Sequence, residues 1–458
     1  MTSLPLPLPM MRLSELTALI PQATLLGLDR TFNEVSTDTR SLSDHALFFA
    51  LRGERFDAHD FADQAIAQGA VALVVEKRLP IDAPQIIVED TRAALGAAAA
   101  GWRARFKIPI ISVTGSNGKT TVTQMLAAIL LEEGGDEGRL ATRGNLNNDI
   151  GLPLTLFRLR ESHRYGVVEL GMNHPGEIAM LATLAKPDVA VVNNAQREHQ
   201  EFMGSVEATA HENGASISAL PNSGVAVFPA DDPCAPIWRQ LAGDRTVMDF
   251  GFHHPAAVKA HFKRIPEGLE LLLETPKGPL KCEVHLAGEH NAHNAAAAAT
   301  AAIAAGIPLE SIQKGLEGFK PVSGRGVMRR SIQGATVIDD SYNANPDSVR
   351  AAIDLLANQH GPAILVLGDM GEVGSMGAEF HREIGAYAFE RGLRALLGHG
   401  DLCRHAIEAF EGPHGRHFEA IDALIECAQD LASPGATLLV KGSRFMRMER
   451  VVKALCES

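Results

Sequence analysis

The segment Thr114-Gly115-Ser116-Asn117-Gly118-Lys119-Thr120-Thr121 has the residue types and spacing to hold a polyphosphate. It follows a continuous β-branched run and opens a helical stretch. In that setting glycines let backbone N–H groups approach phosphate oxygens at a helix N-terminus. Lys119 supplies a point charge for the β and γ oxygens, and Thr120 a hydroxyl that can reach magnesium. The longer pattern GxxxxGK[ST] asks for glycine where Val113 stands, so this is a shorter loop. A glycine turn with a surface lysine is the bland alternative, and the strand-then-helix context weighs against it.

Other candidates also sit where a strand should end. Glu169, in Val168-Glu169-Leu170-Gly171, is a carboxylate at the carboxyl edge of a predicted parallel strand; it reads as a magnesium ligand or as a solvated strand-end acid. His199, in the string Asn193–Glu201, is a metal ligand, a substrate contact or a structural histidine. Asn145, Asn147 and Asn148 crowd one loop, GNLNNDIG, and either cap turns or bind a polar ligand. Asn291 reads as the N-cap of an Ala-rich helix. Asp339-Asp340-Ser341-Tyr342-Asn343 suits ribose or a metal, and Arg325 in the preceding linker can swing onto a phosphate. Lys441-Gly442-Ser443-Arg444 puts two cations on a strand end and suits an anion, or is a solvated basic loop.

Such residues must be placed by a sheet. Ile108–Thr114 reads as a buried parallel strand by its apolar, β-branched run, followed by a helix from Lys119 to Glu133. Further strands at Gly166–Leu170, Asp188–Asn193 and Val225–Phe228, with helical stretches between, predict a doubly wound parallel sheet. Residues 261–287 switch to short alternating strands, an antiparallel flap, and Ala295–Ala305 is a close-packing helix. Before this unit lie strands at Ala46–Leu51, Val71–Glu76 and Gln85–Val88; after it lie strands at Thr336–Asp339, Ala363–Leu367, Ala395–Leu397 and Thr437–Val440, interleaved with helices. The linker FKPVSGRG at 319–326 separates the last unit. The expected organisation is a disordered Pro-rich tail at 1–11, a small α/β domain at 12–106, a central domain at 107–322 and a Rossmann-like α/β domain at 323–458.

The chain has 458 residues, 46% apolar and 21% charged, enough to build several cores and too apolar for general disorder. A formal charge of −13 makes it a poor general binder of nucleic acid, so any anionic ligand must be held by locally placed cations and helix N-termini. Aromatic residues, at 5%, are too few for base-stacking platforms. No apolar run is long enough to span a membrane, no basic leader is evident, and five scattered cysteines predict reduced thiols; a cytoplasmic protein is expected.

Together these residues resemble the Mur ligase family, which joins amino acids to UDP-N-acetylmuramoyl peptides with ATP. The phosphate loop, Glu169, His199, the HNxxN string at His290–Asn294 and Arg325 are similar to the wider family, folylpolyglutamate synthases included. GNLNNDIGLPLTL at 144–156, ELGMNHPGEI at 169–178, IDDSYNANPDS at 338–348, LGDMGEVG at 367–374 and LVKGSRFMRME at 439–449 resemble the branch that adds D-alanyl-D-alanine to UDP-MurNAc-tripeptide. DTRSLSDHALFFALRGERFDAHDF at 38–61 resembles its uridine-nucleotide-binding segment. The resemblance implies an acyl-phosphate route, a monomer, and closure of the third domain before chemistry. It gives Lys119, Glu169, His199 and Arg325 catalytic roles, and Thr120, Glu169 and His199 to magnesium. ATP falls to residues 114–121 with Asn291, Asn294, Arg325 and Asp340. The UDP-substrate falls to Arg40, Arg52, Gly53, Phe56, Asp57, His59, Asn145, Asn147 and Asn148, and the acceptor dipeptide to Tyr342, Asn343, Lys441, Ser443 and Arg444. Whether the tripeptide ends in meso-diaminopimelate or lysine stays open. A ligase of another branch would carry a DNPR-like string, which is absent, and a mere nucleotide-binding switch would have no use for Glu169, His199 and the KGSR string together.

One position departs from the family. Many members carry a carbamoylated lysine 14 residues after the histidine, a further magnesium ligand; Asn213 stands there, with no lysine between Lys186 and Lys259. The expectation is a weaker second magnesium site held by His199, substrate and water, with Glu212 a substitute if its helix face allows.

Overall fold

A computed structural model describes residues 9–53, 56–266 and 268–457. The chain forms three α/β units in series.

In the first, a five-stranded sheet runs in the order Thr24–Leu26, Gln85–Ile87, Ala72–Val75, Ala46–Phe49, Glu34–Ser36, parallel except for the Thr24–Leu26 edge. Its inner strands, ALFF and ALVV, are buried on both faces and therefore read as unbroken apolar runs. The helix Thr91–Arg103 starts where Asp90 accepts hydrogen bonds from the Arg92 and Ala93 N–H groups. Its Leu95, Ala98 and Trp102 share one core with Leu152, Leu156, Ile178 and Leu181 of the second unit, so the two units are packed together.

Positions 10 and 11 do not belong to the expected tail. Residues 1–8 lie outside the described residues, but Met10 and Met11 are buried. The Met10 N–H donates to the Phe32 carbonyl at 2.8 Å, and Met11–Arg12 pairs antiparallel with Thr31–Phe32. Two unbranched apolar side chains directly after the last proline fill the rim of the core, a signal masked by the Leu-Pro pairs before them.

The second unit holds a six-stranded parallel sheet in the order Thr246–Val247, Val225–Val227, Val189–Val192, Ile110–Thr114, Tyr165–Glu169, Arg139–Ala141. The central strand Ile110–Thr114 is flanked by strands that follow it on opposite sides. That reversal opens a crevice at the carboxyl ends, where Thr114, Glu169 and Val192 lie side by side. The flap is present as the strands Val258–Ile265, Gly268–Thr275 and Gly278–Val284 with the edge Phe250–Gly251. The helix Glu289–Ala304 packs on the helix Lys119–Gly134; its alanines up to Ala302 are buried, which permits the close approach.

The third unit is a six-stranded sheet in the order Val327–Arg330, Thr336–Asp340, Thr437–Lys441, Ala363–Gly368, Ala395–His399, Gly415–Phe418, parallel but for its first strand. Among the described residues no helix is long and apolar enough to cross a membrane.

Candidate active site

The phosphate loop closes the crevice of the second sheet. Gly115 and Gly118 take φ of +128° and +80°, the left-handed side that favours glycine. A Cβ on Gly118 would lie 2.2 Å from Asn294 Oδ1 and 2.6 Å from Asn193 Nδ2. These amides support the loop from below: Asn193 Nδ2 donates to the Asn117 carbonyl and to Asn294 Oδ1, each at 2.8 Å, and Asn294 Nδ2 donates to Asn291 Oδ1 at 3.1 Å. Asn291 is not the N-cap of the Ala-rich helix. Gly288 holds that position, and Asn291 lies in the first turn with its amide donating to the Ala287 carbonyl at 2.8 Å.

The loop spends part of its backbone internally. The Gly115 N–H donates to Asn213 Oδ1 at 3.0 Å, Ser116 N–H to the Asn194 carbonyl at 3.2 Å and Asn117 N–H to Asn194 Oδ1 at 2.8 Å. Thr114 is fully buried, its hydroxyl donating to the Val191 carbonyl at 3.0 Å, and Ser116 Oγ meets the Gln196 backbone. What faces the crevice is the start of the helix Lys119–Gly134, whose first N–H groups have no acceptor inside the helix. Thr120 and Thr121 lie in that turn.

Charged groups converge above it. Lys119 Nζ contacts Glu198 Oε1 at 2.8 Å and donates to the Gly115 carbonyl at 2.6 Å. Glu169 Oε1 accepts from Asn147 Nδ2 at 2.8 Å and from the Thr120 hydroxyl at 3.3 Å, while its Oε2 is buried without a partner. Arg325 Nη2 donates to Thr120 Oγ1 at 3.1 Å, with its guanidinium 4.1 Å from the centre of the Tyr342 ring. His199, at φ +49°, has Nδ1 2.6 Å from Glu372 Oε2 and Nε2 3.5 Å from Glu198 Oε1. Burial alone would lower the His199 pKa, but the two carboxylates outweigh it and raise it to about 9. A divalent cation fits this oxygen set: the unpartnered Glu169 Oε2 needs a counter-charge, and the Thr120 hydroxyl is within 3.3 Å of the same carboxylate.

The third unit is docked against this site. Arg197, two residues before His199, makes two-pronged contacts with Asp347 (2.6 Å) and Glu383 (2.6 Å) and packs over Phe380. Asn117 and Asn345 exchange amide hydrogen bonds of 3.2 and 2.9 Å across the same seam. Arg325 is therefore within reach of the phosphate loop, whereas Asp340 is paired with Lys441 inside its own unit at 2.5 Å. Lys441 is buried and also donates to the Asn343 carbonyl at 3.0 Å. Ser443 Oγ accepts from the Gly371 N–H at 2.7 Å and donates to Ala344; Arg444 pairs with Glu449 at 3.0 Å, 5.7 Å from the Tyr342 ring.

The loop residues of the first unit form a cluster of their own. Asp57 accepts from the His59 backbone and lies 2.6 Å from its Nδ1, and Arg52 bridges Asp57 and Glu76. Burial would raise the Asp57 pKa, but these hydrogen bonds bring it down to about 2. His59 is buried, its Nε2 accepting from the Glu76 N–H at 3.0 Å. Phe56 is exposed and stacks on Phe61 with centroids 5.0 Å apart. The Gly53 N–H donates to the Phe56 carbonyl, and the exposed Arg40 pairs with Asp38. Asn145 is exposed; Asn147 supports Glu169, and Asn148 accepts from the Gly151 N–H at 2.9 Å, starting the helix Gly151–Leu156.

Two expectations about the missing lysine change. Asn213 is buried and braces the loop through Gly115 and Thr114. Glu212 points the other way: its carboxylate accepts from the Gly176 and Ile178 N–H groups at 2.9 and 2.8 Å, capping the helix Glu177–Ala185, so its helix face does not allow the substitution. The carboxylate that does reach the site is Glu198. It lies in the Asn193–Glu201 string beside His199, and the pattern of one acid next to the histidine was the available signal.

The chain belongs to the Mur ligase family. The Mur ligase middle domain matches residues 113–302, the Mur ligase glutamate ligase domain 324–444, and the Mur ligase family catalytic domain 31–103. It is 43% identical, over 97% of its length and 98% of the relative's, to the UDP-N-acetylmuramoyl-tripeptide--D-alanyl-D-alanine ligase of Escherichia coli K12. A solved structure of the UDP-N-acetylmuramoylalanyl-D-glutamyl-2,6-diaminopimelate--D-alanyl-D-alanyl ligase of Acinetobacter baumannii superposes with a TM-score of 0.86 at 33% identity, covering 97% of this chain and 98% of that one. The MurF ligase of Thermotoga maritima in complex with ADP gives a TM-score of 0.80 at 25% identity, covering 92% and 96%.

Proposed function

We propose that the chain joins D-alanyl-D-alanine to UDP-N-acetylmuramoyl-tripeptide with ATP, a step of peptidoglycan precursor synthesis. The observation that carries this reading is the convergence of Lys119, Thr120, Glu169, His199 and Arg325, from two units, on one helix N-terminus. The tripeptide carboxylate attacks the γ-phosphate, giving an acyl phosphate and ADP; the dipeptide amine then displaces phosphate.

Both reactants of the first step are anions, so neutralising charge is the main task. Lys119 exchanges Glu198 for the β and γ oxygens, and Arg325 moves a short way from the Thr120 hydroxyl onto the transferring group. The helix N-terminus supports the phosphates with the N–H groups the loop has left free. Magnesium, held by Thr120 and Glu169 with His199 at a second position, would draw charge from the γ oxygens. By resemblance to the family, Asn291 and Asn294 would contact the adenine side and Asp340 the ribose. Arg40, Arg52, Gly53, Phe56, Asp57 and His59 form the uridine diphosphate end, with Phe56 the exposed ring, and the 145–148 loop, which meets Glu169 through Asn147, takes a further part of the same substrate. Tyr342, Asn343, Lys441, Ser443 and Arg444 build the edge from which the dipeptide enters.

The test is phosphate release with ATP, magnesium and UDP-MurNAc-tripeptide. Release should require D-alanyl-D-alanine and fall at least about a hundredfold in Lys119→Ala. Release driven equally by single amino acids, or near-normal turnover in that variant, would sink the assignment.

A further inference from the structure

Glu198 is a buried carboxylate whose contacts are incomplete. It is 8% exposed, and its Oε1 accepts from Lys119 Nζ at 2.8 Å. Its Oε2 is buried with no hydrogen-bond partner. Glu169 Oε2 is in the same state, and both acids border the helix start: Glu169 meets Thr120, and Glu198 meets Lys119. Among the described residues Lys119 supplies the only hydrogen bond to the Glu198 carboxylate. The neighbouring arginines are engaged elsewhere. Arg197 grips Asp347 and Glu383, and Arg325 lies on the Thr120 hydroxyl. An ionised oxygen buried without a partner is costly, and a cation in the same place removes that cost.

A bound nucleotide undoes the one contact Glu198 has. When Lys119 turns to the phosphate oxygens, the carboxylate is left charged and buried without its counter-ion. His199 Nε2 lies 3.5 Å from Glu198 Oε1. Adjacent ligands of an octahedral magnesium ion, each about 2.1 Å from it, stand about 3 Å apart. The two atoms therefore have nearly the spacing of a shared cation. The other ring nitrogen, Nδ1, meets Glu372 at 2.6 Å, the kind of carboxylate contact that fixes a ligating imidazole and turns its Nε2 to the metal. A metal-bound Nε2 carries no proton, so it cannot replace Lys119 as donor to Glu198; the ion itself must do so. Asn213 gives this position nothing, because its amide oxygen is spent on the Gly115 N–H.

We propose that Glu198 is a ligand of the second magnesium ion, beside His199 Nε2, and that it passes from Lys119 to this ion when nucleotide binds. This rests on the proposed ligase reading, with phosphate oxygens and water filling the remaining positions. One carboxylate thus neutralises the lysine in the free protein and the ion in the loaded one. The second site forms only after phosphate has taken the lysine, which couples metal uptake to nucleotide binding.

The experiment follows Mn2+, standing in for magnesium, by the paramagnetic resonance signal of the free ion. The full chain is titrated with UDP-MurNAc-tripeptide present, with and without an equimolar non-hydrolysable ATP analogue. The wild type should take up a second ion only with the analogue. Glu198→Gln, which keeps the shape and removes the charge, should hold that second ion at least about tenfold more weakly. Its first ion should bind as in the wild type, which also shows that the variant is folded, and the analogue should bind as tightly or tighter because Lys119 is released. A carboxylate that serves only as counter-ion to Lys119 would leave the second ion unchanged. That result, or equal loss of both ions in Glu198→Gln, or a second ion absent from the wild type or bound without the analogue, overturns the proposal and leaves the ligase reading standing. If the wild type takes up neither the analogue nor Mn2+, both fall.

Discussion

Gly118→Ala is the sharpest probe of how the phosphate loop is built. The residue has φ of +80°, and a left-handed alanine costs about 1–2 kcal/mol. Its Cβ would also sit 2.2 Å from Asn294 Oδ1 and 2.6 Å from Asn193 Nδ2, so the bond between those amides must break. One such bond is worth about 1 kcal/mol. The sum, about 2–3 kcal/mol, should weaken nucleotide binding roughly thirty- to a hundredfold. The assay is calorimetry with magnesium-ADP beside a melting curve, since the strain is local and the cores are untouched. Adding Asn294→Ala removes one blocker but not the positive φ. The double-mutant cycle should show a favourable coupling of about 1 kcal/mol, with affinity only partly restored. A change under about threefold in Gly118→Ala would refute the reasoning, because neither the strain nor the clash could then exist. Absence of coupling would refute the steric half alone.

Two further outcomes follow from the docked third unit. Arg197→Ala leaves Asp347 and Glu383 facing each other without their shared cation; docking should weaken by about 2–4 kcal/mol, small-angle scattering should show expansion and turnover should drop, while ADP affinity stays. Unchanged scattering and turnover would remove Arg197 as a clasp. The His199–Glu372 contact depends on a histidine whose pKa is raised to about 9, so its stabilisation is complete below about pH 6.5 and is lost as pH climbs through 9. In metal-free buffer the protein should expand between pH 7 and 10, and His199→Gln should not respond; identical profiles would contradict the pairing.

Much of the layout was legible because buried parallel strands and the phosphate loop have strong local signatures. Ile110–Thr114, Ala363–Gly368 and Thr437–Lys441 are rich in Ile, Leu and Val and buried at every position. The polar edge strands Arg139–Ala141, Val327–Arg330 and Gly415–Phe418 lack that signal and do not stand out in the sequence. Within the site, Lys119, Glu169 and His199 stood out because each follows a strand. Glu198, Glu372 and the Arg197 clasp did not, since their meaning depends on partners 79 to 186 positions away. Asn213 shows the same limit: the sequence marks the absent lysine, but only the fold reveals an amide turned inward onto Gly115.

The Lys119–Glu198 contact makes the loop its own competitor. The lysine that should attract phosphate is already neutralised at 2.8 Å by a carboxylate held in the adjoining loop. An incoming anion must outbid that carboxylate, and a single small anion offers little more than Glu198 already does. A triphosphate with its metal offers several contacts at once and displaces it. On the proposed ligase reading, that contact would make the loop favour ligands that offer several contacts over a single inorganic phosphate.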